Sequence, residues 1–330
     1  MSISHLSNSA RRPRRAPLVC GLLLMVAAGT LPWWAGFAAQ RTLVEVLSVF
    51  AMAVAWNLLA GYGGLVSVGQ YLFVGVGAYA GFFACTSLHM NVWLLPLLSM
   101  VSGGLFAVLC AKPLFRLSGP YFAVATWVLA EMCGIGVLNT QGLGAGTGIA
   151  LDAMGDYERW TRNAGVYWEA LAVGCLSLLI TRTLLRGRLG LALMSLRDSE
   201  RAAAACGVPV ERSKFLTWVV GGALTAGAGG VVFMNTLLVT PNSAFGLGWT
   251  ATAIFVTVLG GIGTVEGPIV GTVVYFAVRE AFSQYGAWYF IGLGCLAMLV
   301  MMFAPSGLWG LVQRHGTLDV FGIRRRMPRS

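Results

Sequence analysis

Asn57, Ser67 and Gln70 stand among the glycines of one apolar stretch, 57–83, that bridges two runs, and Glu131 stands near the middle of another run. Side chains of this kind can hydrogen-bond or charge-balance a small polar solute, and they can also tie helices together. They do not make a catalytic set. The three histidines, His5, His89 and His315, lie at a terminus, a span edge and the tail, so neither a triad nor a zinc site is expected around them. The only lysines are Lys112 and Lys214, and neither follows a glycine, so a G-x-x-x-x-G-K-[ST] phosphate-cradling loop is missing. The chain is expected to be no enzyme and to carry no cofactor or metal of its own. A charge at membrane depth is expensive and usually faces the interior of a bundle. Glu131 is therefore expected to be buried, hydrogen-bonded across helices or bordering a route through the protein.

The elements that must position these groups are membrane helices. The chain is 57% hydrophobic and 10% charged, with a mean hydropathy of +0.77, whereas a soluble domain has about 25% charged residues. The net charge of +10 is gathered in clusters between apolar runs, which encodes topology rather than nucleic-acid binding. None of the seven cysteines forms a C-x-x-C pair, so no metal site or disulfide framework is indicated. The fold class is all-α, a polytopic membrane bundle.

Apolar runs suited to spanning fall near 18–38, 43–60, 64–87, 92–111, 120–139, 166–185, 215–238, 250–278 and 286–304. The run after Arg11-Arg12-Pro13-Arg14-Arg15 is too long for a signal core and reads as an uncleaved first span. The stretch 186–214 is rich in arginine and 140–165 is not, so the positive-inside rule puts the first in the cytoplasm and the second outside. Residues 1–17 and 305–330 then form basic cytoplasmic tails around a transmembrane domain at 18–304. Both tails lie inside only if the number of spans is even. The run 250–278, with "GGIGTVEGP" in its middle, resolves this if it is two shorter helices with a break. The expected total is ten helical segments, some broken or re-entrant.

The stretch "NLLAGYGGLVSVGQYLFVGVGAYAGFF" (57–83) is rich in glycine, which costs about 1 kcal/mol per residue against alanine inside a helix. Gly77 and Gly81 are four apart, as are Gly263, Gly267 and Gly271, and small residues at that spacing let helices pack closely in lipid. Gly61, Tyr62 and Gly64 read as a helix break beside which Asn57, Ser67 and Gln70 border a solute path. Trp33 and Trp34 read as interfacial anchors, Glu45 as a snorkelling charge, and Glu266 as the cap of a neighbouring helix. Between spans, Ala202 to Ala205 form a short helix flanked by Arg197, Asp198, Glu200 and Arg201, ended by Gly207 and Pro209.

These stretches resemble the LivM-like permeases of branched-chain amino-acid ABC importers. Asn57, Gly61, Tyr62, Gly64, Ser67, Gly69, Gly77, Ala78 and Tyr79 match the family's signature, while Gln70 stands where the family commonly has His. "LSGPYFAVATWVLAEM", "LRDSERAAAACGVPVERSKF", "VLGGIGTVEGPIVG" and "PSGLWGL" match later segments in order, and "TQGLGAGTGIAL" is a looser match. The resemblance implies a permease subunit of the bacterial inner membrane that moves branched-chain amino acids, or a related amide or urea, by alternating access. It implies a homologous LivH-like permease, two ATP-binding subunits that hold ATP and Mg, an extracytoplasmic solute-binding protein, and no nucleic-acid partner. Arg197, Asp198, Glu200, Arg201, Ala202, Ala203 and Gly207 would form the coupling segment that meets the ATPase. The rival reading is a self-sufficient secondary transporter or channel that uses Glu131.

Overall fold

The computed structural model describes residues 27–282, 288–304 and 306–315. The N-terminal tail, the first part of the 18–38 span and the C-terminal tail beyond His315, with Arg324, Arg325 and Arg326, lie outside them. Helices dominate, as the composition requires of a chain whose backbone must satisfy itself in lipid. Among the described residues, strand is confined to a short antiparallel ladder of Ile149–Ala150 (β1) with Leu238–Val239 (β2). Seven helical stretches are long and apolar enough to cross a membrane.

In chain order the helices are α1 (Phe37–Trp56), α2 (Tyr71–Ser87), α3 (Leu95–Leu114), α4 (Pro120–Leu138), α5 (Arg159–Arg186), α6 (Arg188–Asp198), α7 (Glu200–Ala205) and α8 (Val210–Thr236). A single turn, Pro241–Ala244, leads to α9 (Gly248–Gly260), α10 (Gly267–Phe282), α11 (Trp288–Phe303) and α12 (Gly307–His315). The long helices alternate in direction, so α6 and α7 sit at one end of the bundle and the ladder at the other. α1 begins before the expected 43 because its first polar residue is not a boundary. Gln40 is buried, and its amide donates to Pro32 O and Ala35 O, tying the helix to the preceding turn. Trp33 leans on Trp160 and Trp168 at ring distances of 6.1 and 5.7 Å, and Trp34 stays exposed, an arrangement typical of a membrane–water interface.

The core is a junction of α2, α3 and α8, in which glycines admit neighbouring backbone. A Cβ on Gly77 would lie 2.6 Å from Ala226 O of α8, and one on Gly81 would lie 2.7 Å from Ser99 Oγ of α3. Ser99 Oγ in turn donates to Gly77 O at 2.8 Å, so one hydroxyl closes the three-way contact. Phe73, Trp218, Phe122 and Phe115 fill the space beside it.

The run 250–278 is two helices, α9 and α10, joined by a turn at 261–266. They form an antiparallel hairpin: Thr252 Oγ1 meets Tyr275 OH at 3.3 Å, Gly271 abuts the Val256 carbonyl, and Gly267 abuts Gly260. The even spacing of Gly263, Gly267 and Gly271 therefore does not make one packing ladder. Gly263 lies in the turn with φ +76, before α10 begins at Gly267. Of the three, Gly267 and Gly271 alone are helical.

Candidate functional site: two helix breaks and a carboxylate on an open helix face

α1 does not end cleanly. It continues through a wide turn, Asn57–Tyr62, in which Gly63 N bonds to Leu58 O and Leu65 N to Leu59 O, one and two residues farther than an α-helix reaches. Such insertions release backbone carbonyls from the regular ladder and recur at functional sites. The chain then runs without helix from 63 to 70 before α2 starts at Tyr71. Non-helical backbone at this depth must find partners inside the protein. Trp56 Nε1 donates to Ser67 O at 2.9 Å, and Gly69 N donates to Thr126 Oγ1 at 3.3 Å. Gln70 Nε2 donates to Thr225 Oγ1 at 2.7 Å, and Tyr71 N donates to Thr250 Oγ1 at 2.9 Å. Helices α1, α4, α8 and α9 thus each lend a side chain to this break.

The second break, 261–266, is sewn to the first by Asn57. Its Oδ1 accepts from Gly263 N at 2.8 Å, and its Nδ2 donates to Thr264 O at 2.7 Å, so one amide side chain satisfies a donor and an acceptor of the turn. Contact this close requires glycine on both sides. A Cβ on Gly61 would lie 2.8 Å from Gly263 N, and one on Gly263 would collide with the Arg197 guanidinium. The start of α10 is capped by Thr264, whose Oγ1 accepts from Gly267 N at 3.0 Å.

Arg197, at the end of α6, donates from Nη1 to Gly61 O at 2.8 Å. Its Cα lies close to Gly64, which has φ +66. Below the breaks, Leu58 and Tyr62 of the wide turn, Val265 of the second turn, Leu193 and Leu196 of α6 and Ala203 of α7 share one buried apolar cluster. Ser199 Oγ caps α7 by accepting from Ala202 N, the helix ends at Ala205, and Gly207 follows at φ +79. Glu200 pairs with Lys214 of α8 at 2.6 Å. Asp198, Arg201 and Ala202 are exposed.

Glu131 is not buried. It lies on the exposed side of α4, and its Oε1 accepts from the otherwise enclosed Tyr71 OH at 2.7 Å. The expectation of burial fails because α4 packs little within this chain: 17% of its apolar stretch is buried, against 72% for α1. Of the other residues expected beside a path, Gly64 is exposed, whereas Asn57, Gly61, Tyr62, Ser67 and Gln70 are enclosed. Glu45 does not simply snorkel; it pairs with Arg279 of α10. Pattern reading passed over Tyr71, Thr126, Thr225, Thr250 and Thr264, the partners of these polar groups. Their signal was a hydroxyl inside or beside an apolar run, which a threonine gives only faintly.

Apolar helices that alternate between two ends, with non-helical backbone held inside the bundle, define a multi-pass membrane protein. Residues 39–311 match the family described as "Branched-chain amino acid transport system / permease component". The chain belongs to that family. It is 29% identical over 280 residues to the high-affinity branched-chain amino acid transport system permease protein LivM of Salmonella typhimurium, covering 76% of this chain and 63% of the relative. LivM of Escherichia coli is 28% identical over 280 residues with the same shares. The permease protein BraD of Pseudomonas aeruginosa is 31% identical over 135 residues, 40% of this chain and 43% of BraD. The alignments with the two LivM proteins thus span less than two thirds of their length. No solved structure gives a significant match.

Proposed function

We propose that the chain is one transmembrane subunit of an ATP-driven importer of the bacterial inner membrane, with both termini in the cytoplasm. A second, homologous permease would complete the path, two separate ATP-binding subunits would bind ATP and Mg, and an extracytoplasmic protein would deliver the solute. The inferred solute class is branched-chain amino acids or a related small polar molecule, supported by the branched-chain amino acid permeases among the relatives. Transport would proceed by alternating exposure of a central path, the two states differing in how the permeases pack.

The observation that carries this reading is the open face of α4. Tyr121, Val124, Val128, Glu131, Ile135 and Leu138 are all exposed and recur at alternating steps of three and four. That is the period of a helix-to-helix seam, with a polar residue near its middle. A carboxylate at this position cannot face hydrocarbon at low cost. A second membrane chain on this seam, with the path running past Glu131 and Tyr71, removes that cost.

The test is purification of the tagged chain from its native membrane in mild detergent, followed by reconstitution of what comes with it. Recovery of a second permease and ATPases, with leucine uptake that requires ATP, is the expected result. A chain recovered alone that moves solute down an ion gradient would replace this reading with the self-sufficient transporter. Glu131 on an open face is the feature that would then serve it.

A further inference from the structure

We propose that Arg197 is an internal latch, a positioning residue that ties α6 to both helix breaks and carries movement of the cytoplasmic helices to them. The inference rests on the importer reading above but assigns Arg197 a different task from the rest of the coupling segment: it holds the membrane breaks instead of simply docking the ATPase.

Three features carry it. First, the Nη1–Gly61 O bond is a charge-assisted hydrogen bond to a carbonyl of the wide turn. Second, the guanidinium also abuts Gly263, whose amide is held by Asn57. Arg197, Gly61, Asn57 and Gly263 thus form a continuous chain of contacts from α6 through the first break to the second. Third, the buried cluster of Leu58, Tyr62, Leu193, Leu196, Ala203 and Val265 joins the same elements on their apolar side. Interfaces packed in this way are displaced as units and do not deform smoothly. A shift of α6 and α7 therefore pulls on the turn between α1 and α2 and on the turn between α9 and α10 together. Both are places where helical hydrogen bonding has already been given up, so little of it must be broken for them to move. Arg197 as a whole residue is nevertheless exposed, so α6 remains accessible to a partner at the same position.

Arg197→Gln, Arg197→Lys and the control Arg116→Gln, at an exposed arginine beyond the end of α3, separate the latch from a docking contact. Each is prepared as the complex with its ATPases in proteoliposomes, with radiolabelled leucine delivered by the binding protein. The latch predicts that Arg197→Gln still assembles with the ATPases but moves at least fivefold less leucine per ATP hydrolysed. Arg197→Lys, which keeps a charged donor, should recover most of that ratio, and Arg116→Gln should match wild type. Hydrogen exchange of the same complexes adds a readout that does not depend on transport. Amides of 61–66 and 262–265 should exchange at least fivefold faster in Arg197→Gln, without a change across α8. An unchanged leucine-to-ATP ratio in Arg197→Gln overturns the latch, and so does loss of the ATPases from that complex. If the wild-type complex shows no ATP-dependent uptake, the importer reading fails. The latch then stands or falls on whether exchange at the two breaks responds.

Discussion

The Asn57 region and the Glu131 region both bring a polar side chain to the junction between α1 and α2, yet they are finished differently. Asn57 is enclosed, and its amide is matched atom for atom by Gly263 N and Thr264 O. Among the described residues, Glu131 receives one hydroxyl, from Tyr71, and otherwise lies open on a helix that they hardly cover. The first region is complete within one chain. The second is open, and on the proposed reading this difference marks where a partner subunit would meet the chain.

The largest effect that would break this comparison is expected at Asn57. Asn57→Leu leaves the Gly263 amide and the Thr264 carbonyl unpaired, at about 1–3 kcal/mol each, so a loss of about 2–6 kcal/mol is expected in the stability of the detergent-solubilised protein. Thermal or denaturant unfolding would measure it, and an unperturbed transition would show that the two breaks are not sewn together. Gly77→Leu comes next, because the larger side chain must displace Ala226; overpacking of this kind costs about 1–3 kcal/mol, read in the same experiment.

At Glu131 the two readouts should separate. Glu131→Gln can still accept from Tyr71, so the isolated chain should unfold as wild type does. Loss of the charge is expected to lower uptake by the assembled complex about tenfold, the equivalent of roughly 1.4 kcal/mol. Equal loss of stability and transport would mean that Glu131 is merely structural. The smallest effect is expected for Lys214→Ala, which breaks a pair whose Glu200 end is open to solvent; pairs exposed in this way contribute about 0–1 kcal/mol, so unfolding should shift by about that much.

Much of this was legible beforehand, for identifiable reasons. The double nature of 250–278 follows from its length and from "GGIGTVEGP", because a helix that long overruns the hydrocarbon and that sequence cannot stay helical. The break after Asn57 is announced by Gly61, Gly63 and Gly64, and the short helix before Gly207 by four successive alanines. What joins them was not legible. Asn57, Arg197 and Gly263 each carried a plausible local role, but hydrogen bonds between residues more than a hundred positions apart leave no periodic trace in one chain. The exposure of Glu131 was hidden for a related reason. Hydropathy shows that α4 is apolar enough for a membrane and is silent on whether its neighbour is the same chain, lipid or another subunit.

The most direct test of the central claim is photocrosslinking in native membranes from two points of similar exposure. One probe replaces Val128 on the α4 seam, and the other replaces Leu179 on the outer side of α5. The account predicts a specific adduct between Val128 and a second permease chain, identified by mass spectrometry, and no protein adduct from Leu179. No protein adduct from Val128 in membranes that still take up leucine would contradict it, because Glu131 would then face lipid or solvent alone.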